Sequence, residues 1–562
     1  MKTMQDTDPT LRRRMRRAWI VGLVVTAILA QVVAACGGAA TEPPVAPPAA
    51  ESEVPGEEPT AEPTVPPEPV DIELWAQATV TEAGAPPDDW IAYDIIRERL
   101  NINLTYVILP TGGDGEAVLN ASAAANELPD LLQMVSAAND PRSTLYRLVQ
   151  LGLLAPVDDL MPLMPERVAT HYNDPLLLSL VTFDGHQYGF PEPPPLPRRE
   201  GLVIRSDWLE SLGLEPPTTL EELLEVAVAF TEQDPDGNGL DDTYGIGGFI
   251  VGQGLGNRFD FILGGFGVPG VWNFTDPANF GLNVRDPRYP EAVAFFNRVV
   301  EAGVVDPDWP TLTRDDFRAR WKQGLFGIMW EDFAALSNQS NYTPFDENFP
   351  DGAWIPLPAP TGPEGEAYYG VYTGRGQIFA VSQRAADDGK GEAIARLLEW
   401  MAEPEGYYLL GFGEEGVNFV LDEEGNVSIE GIDPALAWNS AERQPYTQMR
   451  NQLIFYNTPA EINARYPTYQ TSNGRTMEPM MFLEFFQNQP WVDGRGIQVI
   501  LPPANAADFD RFYNEGLMQF ALGQVEINEE TLAEFLAGLD TLGAVEYEAS
   551  ALQALQEAGL VP

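Results

Sequence analysis

Nine consecutive residues, Asp234-Pro235-Asp236-Gly237-Asn238-Gly239-Leu240-Asp241-Asp242, place oxygen donors at alternate positions of a tight, glycine-broken loop. A hard cation such as Ca²⁺ takes six to eight oxygens, and alternate residues of a turning loop can point theirs inward. Asp234, Asp236, Asn238, the Leu240 carbonyl and Asp242 supply five, in the spacing of the first part of an EF-hand loop. Where an EF-hand carries its closing Glu this chain has Gly245, so closure falls to bidentate Asp242, to Thr243 or to water. An ion held here would be structural, because nothing around it supplies a nucleophile. The same residue types also form metal-free Asx turns.

Cys36 is the other residue placed for chemistry, and it is the single cysteine of the chain. It follows a basic cluster (Arg12, Arg13, Arg14, Arg16, Arg17), an apolar run from Ala18 to Val33, and the small pair Ala34-Ala35. That order reads as an export signal over 1–35, with a lipoprotein cleavage site before Cys36 and a thiol there to carry diacylglycerol. A short N-terminal membrane helix is the competing reading, near the lower limit for a span. Either way the mature chain is expected outside the cytoplasm, tethered to the outer face of the cell membrane.

The net charge is −52 over 562 residues, and lysine occurs only at 2, 322 and 390. Beyond the basic cluster of the export signal, the clustered positive charge that nucleic-acid binding needs is lacking. One cysteine allows no internal disulfide, so stability must come from burial, hydrogen bonds and a metal if one is held. From 41 to 70 there are ten Pro and seven Glu with few large apolar groups. Such a segment cannot bury enough surface to fold and stays extended, so 36–70 reads as a lipidated Cys followed by a linker.

The folded part begins at Asp71-Ile72-Glu73-Leu74-Trp75, whose alternation is that of a strand. A helix over 88–100 with Trp90, Ile91, Ile95, Ile96 and Leu100 near one face, a strand over 103–109, a helix over 115–127 and a strand over 128–134 follow. Strand alternating with helix predicts an α/β lobe with a mostly parallel sheet. Asp184-Gly185 predicts a hairpin turn. Thr219 and Glu222 form a capping box ahead of a helix with Leu220, Leu223, Leu224, Ala227 and Phe230 inward. Phe317 and Trp321 read as core, residues 325–330 as a buried strand, and 506–522, 528–542 and 544–558 as helices broken at Gly543.

Taken together, the lipoprotein signal, the proline-rich leash, "NELPDLL", "LGLLAPVDDLM", "GHQYGFP" and "GLVIRSDWLESLGLEPPTTLEELLEVAVAF" resemble the family 1 extracellular solute-binding proteins, in their large lipoprotein branch. These are the sugar receptors of ATP-binding cassette importers. The resemblance implies a two-lobed α/β fold with a hinge and an interlobe cleft. Lobe one would take 71–190 and 373–435; lobe two would take 198–360 and 445–562. It also implies a carbohydrate ligand, with an oligosaccharide expected, importer permease subunits as partners, a monomer, and a structural Ca²⁺ in the acidic loop. In that branch an acid commonly follows the ninth loop position, where this chain has Thr243.

Sugar sites pair aromatic platforms with planar polar groups. Trp272 lies in the glycine-rich stretch "GGFGVPGVWNF", where a core role is harder to explain than on a helix face. The resemblance implies that the strand ending in Trp330-Glu331-Asp332 delivers its last residues to the cleft, although Glu331 and Asp332 equally suit a helix N-cap. Arg375, between glycines at a strand start, could fork onto hydroxyls or a carboxylate. Trp75, Trp272, Trp330, Asp332 and Arg375 are the expected ligand-binding residues.

An enzyme is not expected. A glycosidase needs two positioned carboxylates, and with 84 acids some pair is always nearby, so that idea gains no support. His171 and His186, the only histidines, have no second metal-like ligand at helical spacing. There is no G-x-S-x-G elbow and no Walker or dinucleotide glycine motif. A peptide or amino-acid receptor, which would need charged groups for the termini, and a lipid-anchored polysaccharide hydrolase stand as the alternatives.

Overall fold

In a computed structural model the structure describes residues 68–561, apart from 78–83, 111–112, 136–140, 172–174, 193–195, 251, 253, 257, 375–376, 424, 451–461 and 464. Cys36 and Arg375 lie outside the described residues. No helix among the described residues is long and apolar enough to cross a membrane.

Eleven strands position the site: β1 (Val70–Gln77), β2 (Ile102–Leu109), β3 (Leu131–Val135), β4 (Phe190–Glu192), β5 (Glu200–Arg205), β6 (Tyr244–Gly247), β7 (Phe326–Asp332), β8 (Trp354–Pro356), β9 (Gly370–Tyr372), β10 (Gln377–Val381) and β11 (Trp491–Asp493). Nine of them build two main sheets, one in each lobe of an α/β fold, in the orders β2-β1-β3-β10-β4 and β8-β5-β7-β6, while β9 and β11 form a separate pair. In the first, β1 runs parallel to β2 and β3, and β10 pairs antiparallel with β3 and β4. The expected parallel character therefore holds for the first three strands and ends where the chain returns from the second sheet. In the second, β5 is antiparallel to β7 and β8, while β6 is parallel to β7.

The alternation along β1 does what its pattern predicts. Ile72, Leu74 and Ala76 are buried, while Glu73 and Trp75 sit on the opposite face and stay partly accessible. Helix Ile91–Leu100 buries Ala92 and Ile96, with Trp90 buried just before it, but Ile91 stays 37% exposed, so the inward stripe is narrower than expected. Asn101 ends that helix in the left-handed conformation (φ 55°), which turns the chain straight into β2. Asp184 and Gly185, both at positive φ, make the predicted hairpin between Thr182–Phe183 and His186–Gln187.

Helix Leu220–Glu232 carries the predicted capping box and buries Leu220, Leu223, Ala227 and Phe230. It lies close on the second sheet because two strand glycines allow it. A Cβ at Gly245 would meet the Ala227 carbonyl oxygen at 2.2 Å, and one at Gly327 would meet the Phe230 ring at the same distance. Phe317 and Trp321 are fully buried, as their spacing predicts. The carboxyl-terminal helices Ala506–Ala521, Glu529–Thr541 and Ala544–Glu557 also form, with Gly543 at φ 88° between the last two.

Two buried ion networks brace the sheets. Arg167, wholly buried, pairs with Glu192 at the end of β4 and donates to the Leu398 carbonyl at 2.8 Å. Arg205, at the end of β5, forks onto Asp207 and lies within 6 Å of the rings of Trp208, Phe345, Phe349 and Trp354. A guanidinium can be buried this way because its flat faces take aromatic neighbours while its edge keeps a carboxylate.

Candidate functional site

Antiparallel pairing brings the start of β5 and the end of β7 to one edge of the second sheet, with Glu200 opposite Asp332 and Gly201 opposite Glu331. The chain enters that edge from β4 of the first sheet, through Arg198 and Arg199. Arg199 forks onto both oxygens of Asp332. Asp332 also caps helix Phe333–Ser337, accepting from Ala334 N–H at 2.9 Å and Ala335 N–H at 3.2 Å. Burial alone would raise its carboxyl. The Arg199 charge and hydrogen bond, with the two backbone donors, instead hold it below the ordinary carboxylate range.

Glu331 is fully buried between Arg318, at 3.1 Å, and Arg258, at 3.7 Å. Arg258 in turn donates to the Trp330 carbonyl at 2.7 Å and faces Glu200 at 3.4 Å. The end of β7 is thus a charge-balanced platform, with every acid on it matched to an arginine.

The expected ligand-binding residues part company here. Trp330 is 1% exposed, against the rings of Phe261, Tyr369 and Trp491 at 4.7–6.4 Å. Trp272 is 3% exposed, stacked on Phe280 at 5.2 Å and met edge-on by Tyr547. A ring covered on its faces has none to offer a sugar, so in this conformation both are core, and the glycine-rich loop around Trp272 is packed rather than open. Asp332 is committed to its cap and to Arg199. Trp75 alone of the three tryptophans keeps accessible surface, near the carboxyl end of β1, with its indole N–H on Glu73 at 2.9 Å. The structure sets Trp330 and Asp332 on one strand end, Trp75 on the other sheet, and Trp272 in a separate aromatic packet.

Sequence reasoning placed the crossings by their bounds, with the loop to Tyr372 among them, but singled out none of the contacts that brace them. Strand β9 pairs with β11 and then runs toward β10, so the second lobe's chain crosses to the first sheet here. Arg198 lies over the Tyr372 ring at 5.3 Å, and Gln498 donates to the Thr373 carbonyl at 2.5 Å. A second crossing passes through Arg465 and Tyr466. Arg465 donates to the hydroxyl of Tyr407, on the first-lobe helix Pro404–Phe412, at 2.7 Å. Tyr466 packs on Phe333, the residue after β7, at 4.8 Å. Arg450 lies close by, over the Trp438 ring at 5.1 Å. The consecutive Arg198-Arg199 was a readable signal in so acidic a chain; Arg450 and Arg465 carry no local signature.

A separate cavity of about 590 Å³ in the second lobe is lined by Asn273, Asp276, Arg285, Arg288, Glu366 and Glu548 among others. Its charges answer one another, Arg285 with Glu548 and Asp540, and Arg288 with Asp286.

The acidic loop is closed on itself. Asn238 N–H donates to Asp234 Oδ1 at 3.0 Å, and Gly239 N–H to Asp234 Oδ2 at 3.0 Å. The Asn238 amide nitrogen donates to Asp236 at 2.9 Å and to Asp242 at 3.2 Å. Burial first, then the nearby Asp242 and Asp234 charges, raise the Asp236 carboxyl. Thr243 is a correction to the expected ligand set: it is buried, and its hydroxyl donates to the Phe230 carbonyl at 2.8 Å, tying loop to helix. Among the described residues no group of three or more His, Cys, Asp or Glu is arranged to hold a metal ion.

Residues 93–408, more than half of the chain, match the family described as bacterial extracellular solute-binding protein. The polygalacturonan/rhamnogalacturonan-binding protein YtcQ of Bacillus subtilis is 28% identical over 314 residues, 54% of this chain and 59% of its own length. Lipoprotein LipO of the same organism is 26% identical over 50% of this chain and 56% of its own. The chain thus spans less than three fifths of these curated relatives. The structure of the substrate-binding protein FusA of S. pneumoniae with kestose superposes on 87% of this chain and 99% of its own, with a TM-score of 0.61 at 17% identity. YtcQ and FusA are named as binding proteins, and the fold shared with FusA extends well beyond the matched segment. The chain belongs to the bacterial extracellular solute-binding proteins.

Proposed function

We propose that the protein is a lipid-anchored receptor outside the cytoplasm that captures an oligosaccharide between its lobes and passes it to the permease subunits of an ATP-binding cassette importer. The observation that supports this reading is the pair of sheets between which the chain passes from β4 to β5 and from β9 to β10, and the ends of β1 and β7 would flank the cleft between them. Ligands of open α/β sheets gather beyond the carboxyl ends of the strands. Lobe one takes 71–190 and 373–435, and lobe two 198–360 and 445–562. Cys36 carries the lipid, and 37–70 is the leash. Ligand draws the lobes together about the crossings, and the importer reads the closed form. A relative that binds polygalacturonan favours a saccharide over a peptide.

Within the cleft, Trp75 is the aromatic platform. Trp330 and Asp332 shape and hold the floor, and Arg375 is a further candidate on the β9–β10 crossing.

Calcium is the proposed structural ion of the acidic loop. The Asn238 amide nitrogen, a donor, stands where the Asp236 and Asp242 carboxylates converge, so the loop already gathers acceptors around a positive partner. Asp234, Asp236, Asn238, the Leu240 carbonyl and Asp242 would hold the ion, which when bound supplies the charge that relieves the crowded acids.

A melting screen of the purified protein against oligosaccharides and peptides tests the receptor reading. A tight ligand at a hundredfold excess over Kd adds about 2.7 kcal/mol. A rise with a saccharide and no product formed is expected. A rise with peptides alone, or cleavage of the saccharide, would overturn it.

A further inference from the structure

The cavity in the second lobe has walls that are set in place before any ligand arrives. Residues between 273 and 288 supply most of its lining, Glu366 and Tyr368 add to it, and Glu548 reaches it from helix Ala544–Glu557. Two glycines make room for these polar walls. A Cβ at Gly267, which is also at φ 74°, would meet Arg288 Nη1 at 2.5 Å and Glu366 Cγ at 3.3 Å. One at Gly281 would meet Glu548 Oε1 at 3.0 Å.

The side chains seated there are cross-braced. Arg285 Nε donates to both oxygens of Glu548, at 3.1 and 2.8 Å, and Arg288 forks onto Asp286 at 2.9 Å. The Asn273 amide donates to Asp286 at 3.2 Å, and the Asn279 amide donates to Asp276 at 2.7 Å. Such bracing fixes the direction of each planar group and so lowers the ordering cost of binding.

The lining also selects a ligand. Phe280 and Tyr368 are partly accessible, and Phe280 is backed by Trp272, stacked with ring centroids 5.2 Å apart. Carboxylates and guanidinium groups share the cavity with these rings, so acceptors, donors and an apolar wall are offered together. That set fits a sugar ring, whose hydroxyls both donate and accept and whose C–H face packs on an aromatic. Asp276, Asp286, Glu366 and Glu548 outnumber Arg285 and Arg288 in the lining, so a phosphate or carboxylate would meet net negative charge. A polyamine would find the two arginines in its way. At about 590 Å³ the cavity falls within the ordinary range of ligand sites.

We propose that this cavity is a second carbohydrate site, distinct from the cleft between the lobes, and that it takes an uncharged sugar unit. No first-lobe residue is among its described lining, so it can fill whether the lobes are open or closed. It goes beyond the receptor reading: the cleft holds the piece to be transported, and this site holds another unit of the same or a neighbouring chain.

The test is hydroxyl-radical footprinting of the unaltered protein, read residue by residue by mass spectrometry. The probes are the methyl glycosides of galactose, glucose and rhamnose, then galacturonate and spermidine. A ligand of about a dozen heavy atoms at ordinary efficiency has a Kd on the order of 1 mM, so about 20 mM should fill the site. At least one neutral glycoside is expected to protect Phe280 and Tyr368 from oxidation, with galacturonate and spermidine leaving both unprotected. Glu366→Ala should weaken that protection about tenfold in Kd, the ratio for one hydrogen bond to a charged group. The footprint of the unaltered protein needs no variant, so it stands even if Glu366→Ala fails to fold. Galacturonate protecting as well as the glycosides, spermidine protecting in their place, or no protection by any probe would overturn the site. The cleft is read separately, from Trp75 with kestose and trigalacturonate. Trp75 left unprotected by both, with Phe280 and Tyr368 protected by a glycoside, would overturn the cleft reading and keep this site.

Discussion

Asp332 and Arg199 are bound edge to edge, both carboxylate oxygens taken by one guanidinium, while the same carboxylate caps the helix that follows β7. One side chain therefore fixes the entry of the chain into the second sheet and its exit from the central strand. Ligand contact and N-cap were equally open in the sequence, and the geometry fills the cap.

Asp332→Ala should cost about 2 kcal/mol, most of it from the lost cap and a smaller part from the ion pair, which Arg199's exposure to solvent weakens. Asp332→Asn keeps a cap acceptor and should recover more than half. Urea unfolding at pH 7 measures both. Equal losses in the two variants would mean that the ion pair, not the cap, is what matters.

The buried Arg167–Glu192 pair predicts a different pattern, because both side chains are almost wholly removed from water. Arg167→Leu leaves the Glu192 carboxylate without its guanidinium and should cost about 3–5 kcal/mol. The double variant Arg167→Leu/Glu192→Leu should be far closer to the unaltered protein, since the uncompensated charge is gone. If the double variant is as unstable as the single, the network's backbone contacts dominate.

Much of this architecture was legible from residue order. The alternation in β1, the capping box at Thr219 and Glu222, the Asp184-Gly185 turn and the break at Gly543 are local signals, and each forms as its chemistry requires. The site was less legible, because a tryptophan's role depends on what covers it. Trp272 and Trp330 are hidden by Phe280, Tyr547, Tyr369 and Trp491, all but Phe280 far away in sequence. Likewise Arg465 meets Tyr407, and Tyr466 meets Phe333, only because the crossing chain brings them near. Thr243 was open as a ligand until the helix carbonyl that takes its hydroxyl was in view.

Calcium in the acidic loop predicts that chelation lowers the melting temperature and that restored Ca²⁺ raises it, with Mg²⁺ a poor substitute for so many oxygens. Because the Asp236 carboxyl is raised by burial and by its acidic neighbours, ion binding should release protons and weaken as pH falls. Asp236→Asn should weaken the response to Ca²⁺ while leaving the Asn238–Asp234 turn in place. A melting temperature indifferent to both chelator and Ca²⁺, after exhaustive dialysis, would leave the loop as a metal-free turn.

Asp260 predicts the pH dependence of the second lobe. Its carboxyl is buried and accepts one hydrogen bond, from Gly270 N–H at 3.2 Å. Burial pushes it up to about 7, with the Gly270 donor pulling only weakly the other way. The folded chain therefore holds a proton that the unfolded chain has already released between about pH 4 and pH 7. The protein thus binds more protons folded than unfolded in that window, and the sign follows: this group's contribution to stability is present below about pH 4 and is lost as pH rises through 7. The full shift corresponds to an order of 4 kcal/mol, an upper figure because water and local relaxation soften it. Asp260→Asn keeps an acceptor for Gly270 and cannot ionise. It should leave stability near pH 4 little changed, gain progressively as pH rises to 7, and raise stability by about 2 kcal/mol at pH 8. Urea unfolding of both proteins at pH 4, 5.5 and 8 resolves this, since the two curves should separate between about pH 4 and 7 and keep a constant gap above. Parallel curves would show that Asp260 is ionised throughout, and hence that solvent or a cation reaches a carboxylate now enclosed by protein.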